Sequence, residues 1–281
     1  MRVIRPFDPW RSPLCTCPDK FSLNPYTGCP HRCLYCYSSS YIPRFFECRP
    51  KKELIKKVEK DCSEIEEDAL ISMSNTSDPY PPLERELELT RKCLEIFRDH
   101  DLRVLIITKG DVILRDLKIL SEMRAAVTIT VTSLKLDRIL EPGAPRAERR
   151  LQILREIKEH GIPVGLRLDP IIPMVNDSEI EEIIASADFV DHLVSSTFKP
   201  RKDSWLRILR SFPEIAERLE DLYLKGERIQ RAFYLPLPLR RRLMERVAEV
   251  CEKYGIPFAT CREGFPELQS SESCDGSHLI R

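Results

Sequence analysis

The chain carries no net charge to draw a polyanion toward it: Lys+Arg and Asp+Glu stand at 45 each over 281 residues. That lowers the expectation of a nucleic-acid substrate without removing it, because local basic stretches can act where a global field is missing. No apolar run is long enough to span a membrane, and the opening Met1-Arg2-Val3-Ile4-Arg5-Pro6 has no apolar signal region. A cytoplasmic protein with no membrane partner is therefore expected. Internal repeats, low-complexity tracts and dividing linkers are absent as well, which leaves one large core as the expectation. Glycine is scarce, at 9 against 22 prolines and a 32% charged fraction, a balance that suits a warm-growing source.

Cysteine, by contrast, is plentiful at 11. In a small secreted domain that would mean disulfides; in a reducing cytoplasm, metal-bound thiols fit better. Three of the cysteines share the window Cys29-Pro30-His31-Arg32-Cys33-Leu34-Tyr35-Cys36. Three thiolates can hold three irons of a cubane cluster and leave the fourth without a protein ligand. An open position on a redox metal is a catalytic arrangement, whereas structural sites are normally closed. The alternative is half of a zinc knuckle, completed by His31 or a distant cysteine. Zinc spacing usually recurs as a second pair, however, while these steps occur once only and Tyr35 and Tyr37 flank the last thiol.

Beyond this window the pattern alternates. Lys51–Glu67 reads as a charged helix with Leu54, Ile55, Val58, Cys62 and Ile65 on one face. Strands are expected over Ala69–Ser74, Arg103–Thr108, Ala126–Thr132, Val164–Asp169, Phe189–Ser195 and Pro257–Thr260. Helices are expected over Glu84–Asp99, Val112–Met123, Arg146–His160, Asp177–Ser186, Lys202–Glu220 and Arg240–Tyr254. Such alternation implies an α/β fold with a parallel sheet and helices outside. Doubly wound and barrel sheets cannot be separated by pattern, but both gather chemistry at the C-terminal ends of their strands.

The polar residues at those ends are accordingly candidates. Ser74-Asn75-Thr76-Ser77-Asp78-Pro79-Tyr80 is a stiff polar loop before a helix, which an ordinary turn and cap would also produce. Thr108-Lys109-Gly110 puts a lysine at the end of a buried strand, and Thr130, Thr132 and Ser133 end the next. Arg167 and Asp169 lie inside an apolar strand, where an internal charge needs a partner or a ligand. Together these positions offer ammonium, guanidinium, carboxylate and hydroxyl groups around one rim, as a zwitterionic, ribose-bearing cofactor requires.

With these motifs the chain resembles radical S-adenosylmethionine (SAM) enzymes, and within them the spore photoproduct lyase-like group, often labelled DNA repair photolyases. The resemblance rests on Asn24-Pro25-Tyr26-Thr27-Gly28-Cys29, Tyr35-Cys36-Tyr37, Thr76-Ser77-Asp78-Pro79-Tyr80 with Glu84, Thr108-Lys109 and the run Pro173 to Asp177. It implies a partial (β/α)6 barrel over residues 21–260, with irregular extensions at 1–20 and 261–281, the last packing near the N-terminus. It also implies that Cys29, Cys33 and Cys36 bind a [4Fe–4S] cluster whose fourth iron takes the SAM amino and carboxylate groups. One electron then cleaves SAM to methionine and a 5′-deoxyadenosyl radical, the protein supplying orientation and exclusion of water. By the same resemblance Ser77 and Asp78 hold the SAM amino group and Lys109 its carboxylate. Thr132 or Ser133 lies near the ribose or carboxylate, Tyr37 on the adenine side, and Tyr35 and Arg167 join the cofactor site. An electron donor of ferredoxin or flavodoxin type is implied as partner. One position departs from the family: Asn75 stands where the lyases carry a hydrogen-donating cysteine, so the lyase reaction itself is not expected.

Of the other thiols, Cys62, Cys93 and Cys251 lie on apolar helix faces and read as packing residues, and Cys48 is ambiguous. Cys15, Cys17, Cys261 and Cys274 form a candidate auxiliary site, a second iron–sulfur cluster or zinc, with His278 as a spare ligand; four unconnected thiols is the plain alternative. Basic groups suited to nucleic acid occur at Arg44–Lys57, at Arg146, Arg149 and Arg150, at Lys199–Lys202 and at Arg240–Arg242, interleaved with acids as on ordinary solvated faces. The substrate is thus unidentified, nucleic acid being one class and a peptide or small molecule the other. A non-catalytic iron–sulfur or zinc module for electron transfer is the rival reading. An electron carrier would gain nothing from an open iron.

Overall fold

The computed structural model describes residues 2–7, 12–73, 75–230 and 232–280. Eight strands form one sheet in the order of the sequence: β1 (Arg5–Pro6), β2 (Phe21–Leu23), β3 (Leu70–Met73), β4 (Arg103–Thr108), β5 (Ala125–Thr130), β6 (Val164–Ile171), β7 (His192–Thr197) and β8 (Phe258–Thr260). β1 runs antiparallel to β2, and the other neighbours are parallel. β1 and β8 are the edges, so the sheet is open. Among the described residues no helix is long and apolar enough to cross a membrane.

Several expected helices are interrupted, each for a local reason. The helix expected over Glu84–Asp99 breaks at Glu88, which takes φ +51°. The buried Glu84 carboxylate accepts the amide protons of Thr90 and Arg91 and so caps the second piece, Leu89–Asp99. The helix expected over Lys202–Glu220 stops at Ser211, and Pro213, which has no N–H to continue it, opens a short turn before Ala216–Leu224. The strand expected from Phe189 starts only at His192, because Asp191 turns its carboxylate onto the Val164 amide at 2.9 Å. The helix expected over Lys51–Glu67 is confined to Leu54–Cys62.

Alternate strand residues point to opposite faces. Ile71, Val104, Ile106, Val127, Ile129, Leu166 and Leu193 face the helices and build the main core with Leu94, Phe97, Ile153 and Val247. Leu70, Leu105 and Ala126 face inward, and the residue that buries them comes from far along the chain: Ile280, with Leu279 and Ile107 beside it. Gly276 makes the turn that brings this tail in. Its φ is +85°, and a Cβ there would stand 3.1 Å from the His192 ring. Lys20, just before β2, pairs with Asp275 with both side chains almost fully buried. The tail therefore closes the inner face of the sheet and is tied to the segment that enters β2.

Replacing Ile280 by Ala should lower stability by about 2–5 kcal/mol, the usual cost of a truncated buried aliphatic side chain. Urea unfolding measures it, and an unchanged midpoint would show that the tail does not seal the interior.

Candidate active site

The upper rim of the sheet and the thiol loop surround a cavity of about 560 Å³. Cys29, Cys33 and Cys36 line it, with Tyr35, Tyr37, Ser77, Asp78, Lys109 and Arg167. Thr132 and Ser133 are not among the lining residues.

The thiol loop is irregular, and its shape is imposed by close backbone contacts. Gly28 sits at φ +83°, where a Cβ would meet the Glu47 carbonyl oxygen at 2.3 Å, and Cys29 donates its N–H to Phe45 O at 2.6 Å. A Cβ on Gly143 would meet Pro30 O at 2.2 Å, while the Gly143 amide reaches His31 O at 2.9 Å. From the other side the helix Lys202–Ser211 grips the loop through Arg207, which donates to Leu34 O at 3.0 Å, Cys36 O at 2.9 Å and Ser39 Oγ at 3.0 Å. Asp203 of the same helix accepts the hydroxyl protons of Ser39 and Ser40 and pairs with Arg207 at 3.0 Å. Burial pushes the thiols up, Cys33 to about 12 and Cys29 and Cys36 in the same direction, so a metal binding here displaces protons.

Beside Cys29, the Asn24 side-chain oxygen accepts the amides of Thr76 and Ser77 at 3.0 and 3.3 Å and shapes the Thr-Ser-Asp loop. The Ser77 hydroxyl is buried and has no hydrogen-bond partner among the described residues. Asp78 accepts the amides of Tyr80 and Lys109 at 2.9 and 2.8 Å and the Thr108 hydroxyl at 2.6 Å, joining the end of β3 to that of β4. His31 Nδ1 lies 3.4 Å from Asp78, and burial pulls the imidazole down toward neutrality.

Glu141 is the hub of the far wall. Fully buried, it pairs with Arg150, lies 3.7 Å from Lys109 Nζ, and accepts the Tyr35 hydroxyl and, at 3.1 Å, that of Thr132. Burial would raise its pKa, but Arg150 and Lys109 outweigh burial and hold it down. Burial likewise works against the Lys109 ammonium, yet the Cys33 and Glu141 charges keep its pKa raised. Thr132 thus belongs to the Glu141 network, and Ser133 turns to Glu179 at 2.6 Å. Tyr37 donates to Asn75 O at 2.9 Å, and the Asn75 amide holds Ser22 Oγ at 2.7 Å, linking the thiol loop to β2. Arg167 has Asp169 as its partner at 2.9 Å and still faces the cavity.

Two of the basic groups read as candidates for nucleic acid are corrected here. Arg150 and Arg240 are buried, the first on Glu141, the second 3.3 Å from Glu263. Sequence reasoning missed Glu141, Arg207 and Asn24, whose roles arise only from contacts between distant segments. Arg150, a charge at a helix position flanked by the buried Ala147 and Ile153, was the one available signal.

Cys15, Cys17, Cys261 and Cys274 line the same cavity, and Cys274 donates its S–H to Cys17 at 3.2 Å. His278 is held instead by Ser273 at 2.8 Å and packs edge-on against His192. Among the described residues no three His, Cys, Asp or Glu side chains are arranged to grip a single ion, and this holds for both thiol groups. A cubane spreads its thiolates over separate irons, farther apart than a single ion does. The three-thiol loop, the unengaged Ser77 hydroxyl and the half-buried Lys109 form a donor set that fits a cluster carrying an amino-acid ligand.

Replacing Arg207 by Ala should release the thiol loop and increase amide exchange over residues 34–40 by at least ten-fold, about the effect of one lost charged hydrogen bond. For Asp203, burial acts upward, but Ser39, Ser40 and Arg207 prevail and hold the carboxyl at about 2. Its grip is therefore complete above the ordinary carboxylate range and lost as pH falls through about 2. Asp203→Asn should remove that acid-sensitive phase from the loop's exchange profile.

The family model of the radical SAM superfamily matches residues 23–187. An uncharacterised protein of Mycobacterium tuberculosis is 26% identical over 269 residues, covering 85% of this chain and 76% of the relative. An uncharacterised protein of Methanocaldococcus jannaschii is 30% identical over 185 residues, 64% of this chain and 69% of the relative. In structure the chain is similar to spore photoproduct lyase complexed with dinucleoside spore photoproduct, with a TM-score of 0.68, 17% identity and coverage of 85% and 75% of the two chains. It is also similar to Streptococcus suis SuiB bound to S-adenosylmethionine, with a TM-score of 0.61, 16% identity and coverage of 89% and 53%.

Proposed function

The chain belongs to the radical SAM superfamily, and on that premise we propose that it cleaves SAM reductively with a [4Fe–4S] cluster held by Cys29, Cys33 and Cys36. Superfamily membership supports SAM-dependent radical chemistry and implies both cofactors. When bound, the cluster would supply one electron for cleavage of the SAM sulfonium to methionine and a 5′-deoxyadenosyl radical. The observation that carries the residue assignment is the Ser77 hydroxyl, buried and, among the described residues, without a partner, on the cavity that the three thiols line. It is a ready hydrogen-bond partner for the SAM amino group.

The remaining residues bind and orient. Lys109, kept charged by Glu141, is the cation for the SAM carboxylate, and the Tyr35 ring beneath it, 5.7 Å from Nζ, restricts where that ammonium can move. Asp78 fixes the backbone of Lys109 and so the register of the two walls. Tyr37 serves the adenine side, and Arg167 the polar end of the cavity. An electron donor of ferredoxin or flavodoxin type completes the system.

Nucleic acid is the substrate class favoured by the basic groups on the cavity lining, Arg167, Lys199, Arg201 and Arg262, of which Arg167 is paired with Asp169 and Lys199 with Glu263. A spore photoproduct lyase of the same fold is complexed with a dinucleoside. Asn75 has no weak S–H bond to give, and its amide is already engaged by Ser22 and Ser72. A modifying or other repair reaction is therefore proposed rather than spore photoproduct cleavage.

Reconstituted anaerobically and given dithionite, the protein should convert SAM to 5′-deoxyadenosine, and Cys36→Ala should abolish this. Ser77→Ala should retain the cluster but weaken SAM binding about five- to ten-fold, the loss of roughly one hydrogen bond. A full cluster with no 5′-deoxyadenosine would favour the non-catalytic electron-transfer module instead.

A further inference from the structure

Of the eight thiols that this chemistry does not use, four line the cavity. Cys15 and Cys17 precede β2, Cys261 directly follows β8, and Cys274 lies in the returning tail, so three distant segments deliver sulfur to one side of the cavity. That side is the open part of the sheet, where the segments adjoining β2 and β8 and the tail come together. Each sulfur is positioned by something independent of the others. Cys261 is hydrogen-bonded through its amide to Ser195 O at 2.8 Å, and its sulfur accepts from Arg167 at 3.5 Å. Cys274 is fixed by the neighbouring ion pair of Asp275 with Lys20 and by the Gly276 turn. Cys17 lies between partners, 3.2 Å from Cys274 and in contact with Cys15.

Packing does not account for this group. Cys62, Cys93 and Cys251 belong to the apolar core, as expected of cysteines used as small hydrophobes, and none of the four does. Their neighbours are cations: Arg167 beside Cys261, and Lys20 close to Cys17. Positive neighbours offset the negative charge that several thiolates bring together. Among the described residues, the nearby carboxylates and histidine are already engaged: Asp275 by Lys20, Asp169 by Arg167 and His278 by Ser273. Sulfur-only donors select soft metals, iron–sulfur clusters and zinc foremost.

We propose that Cys15, Cys17, Cys261 and Cys274 form a second, all-thiolate metal site that joins the segments adjoining β2 and β8 across the open side of the sheet. An iron–sulfur cluster and zinc share this donor chemistry. Binding either displaces thiol protons; because no three of these sulfurs stand as ligands of a single ion, zinc would have to draw them together, whereas a cluster takes them farther apart. Because the site lies on the cavity wall, its metal also forms part of the surface that a substrate meets. The inference does not rest on the radical chemistry of the first three cysteines.

The test uses the full chain with Cys29, Cys33 and Cys36 changed to Ala, so that the first cluster cannot form. One anaerobic sample is treated with ferrous iron and sulfide, another with zinc, and both are desalted and analysed for metal. The expected result is stoichiometric retention in one arm, which identifies the metal, and its loss when Cys17→Ser and Cys274→Ser are added. Native alkylation followed by mass spectrometry should find the four thiols protected until a chelator is added, a readout that needs no further variant. Retention in neither arm, retention with all four thiols still alkylated, or a Cys17–Cys274 disulfide in the anaerobic protein would overturn the proposal.

Discussion

A single buried carboxylate holds the candidate site together. Glu141 stands between Arg150 and Lys109 and also takes the hydroxyls of Tyr35 and Thr132, so the thiol loop, the β4 and β5 ends and the helix Ala147–Glu159 share one charged centre. Burying such a charge is costly unless its partners surround it, and an uncompensated buried ion costs several kcal/mol. The network is therefore closer to all-or-none than a set of separate contacts.

Much of the architecture was legible in the sequence because it rests on local periodicity. Arg103–Thr108 appears as a strand with the expected bounds, and the alternation through Phe258–Thr260 gave the parallel sheet. What periodicity cannot see is a side chain that overrides the backbone. Glu84 caps a helix from six residues away and Asp191 delays a strand, each by supplying an acceptor to an amide in another segment. The same limit applies at the site. The three-thiol window is a local motif and stands out at once, whereas Glu141, in a connecting loop, and Arg207, on a charged helix, look like ordinary charges until the fold brings the thiol loop against them.

Hydroxyl groups mark the boundary most sharply. Ser77, Thr132 and Ser133 look equivalent along the chain, yet one is left partnerless on the cavity wall and two are hydrogen-bonded elsewhere. A hydroxyl's availability is set by whether a carboxylate lies within reach. That is a tertiary fact.

The returning tail has a consequence for how the molecule is made. The inner face of the sheet stays uncovered until residues 279 and 280 have been synthesised, long after the thiol loop near residue 30 has left the ribosome. Domains fold as units, so the loop emerges into a cell without the scaffold that shields it, and an early-exposed trio of thiols is open to oxidation or to stray metals. A cluster held by this loop would therefore be loaded only after the tail has been made, and a truncated chain would lose its inner lining before it lost any of the three loop cysteines.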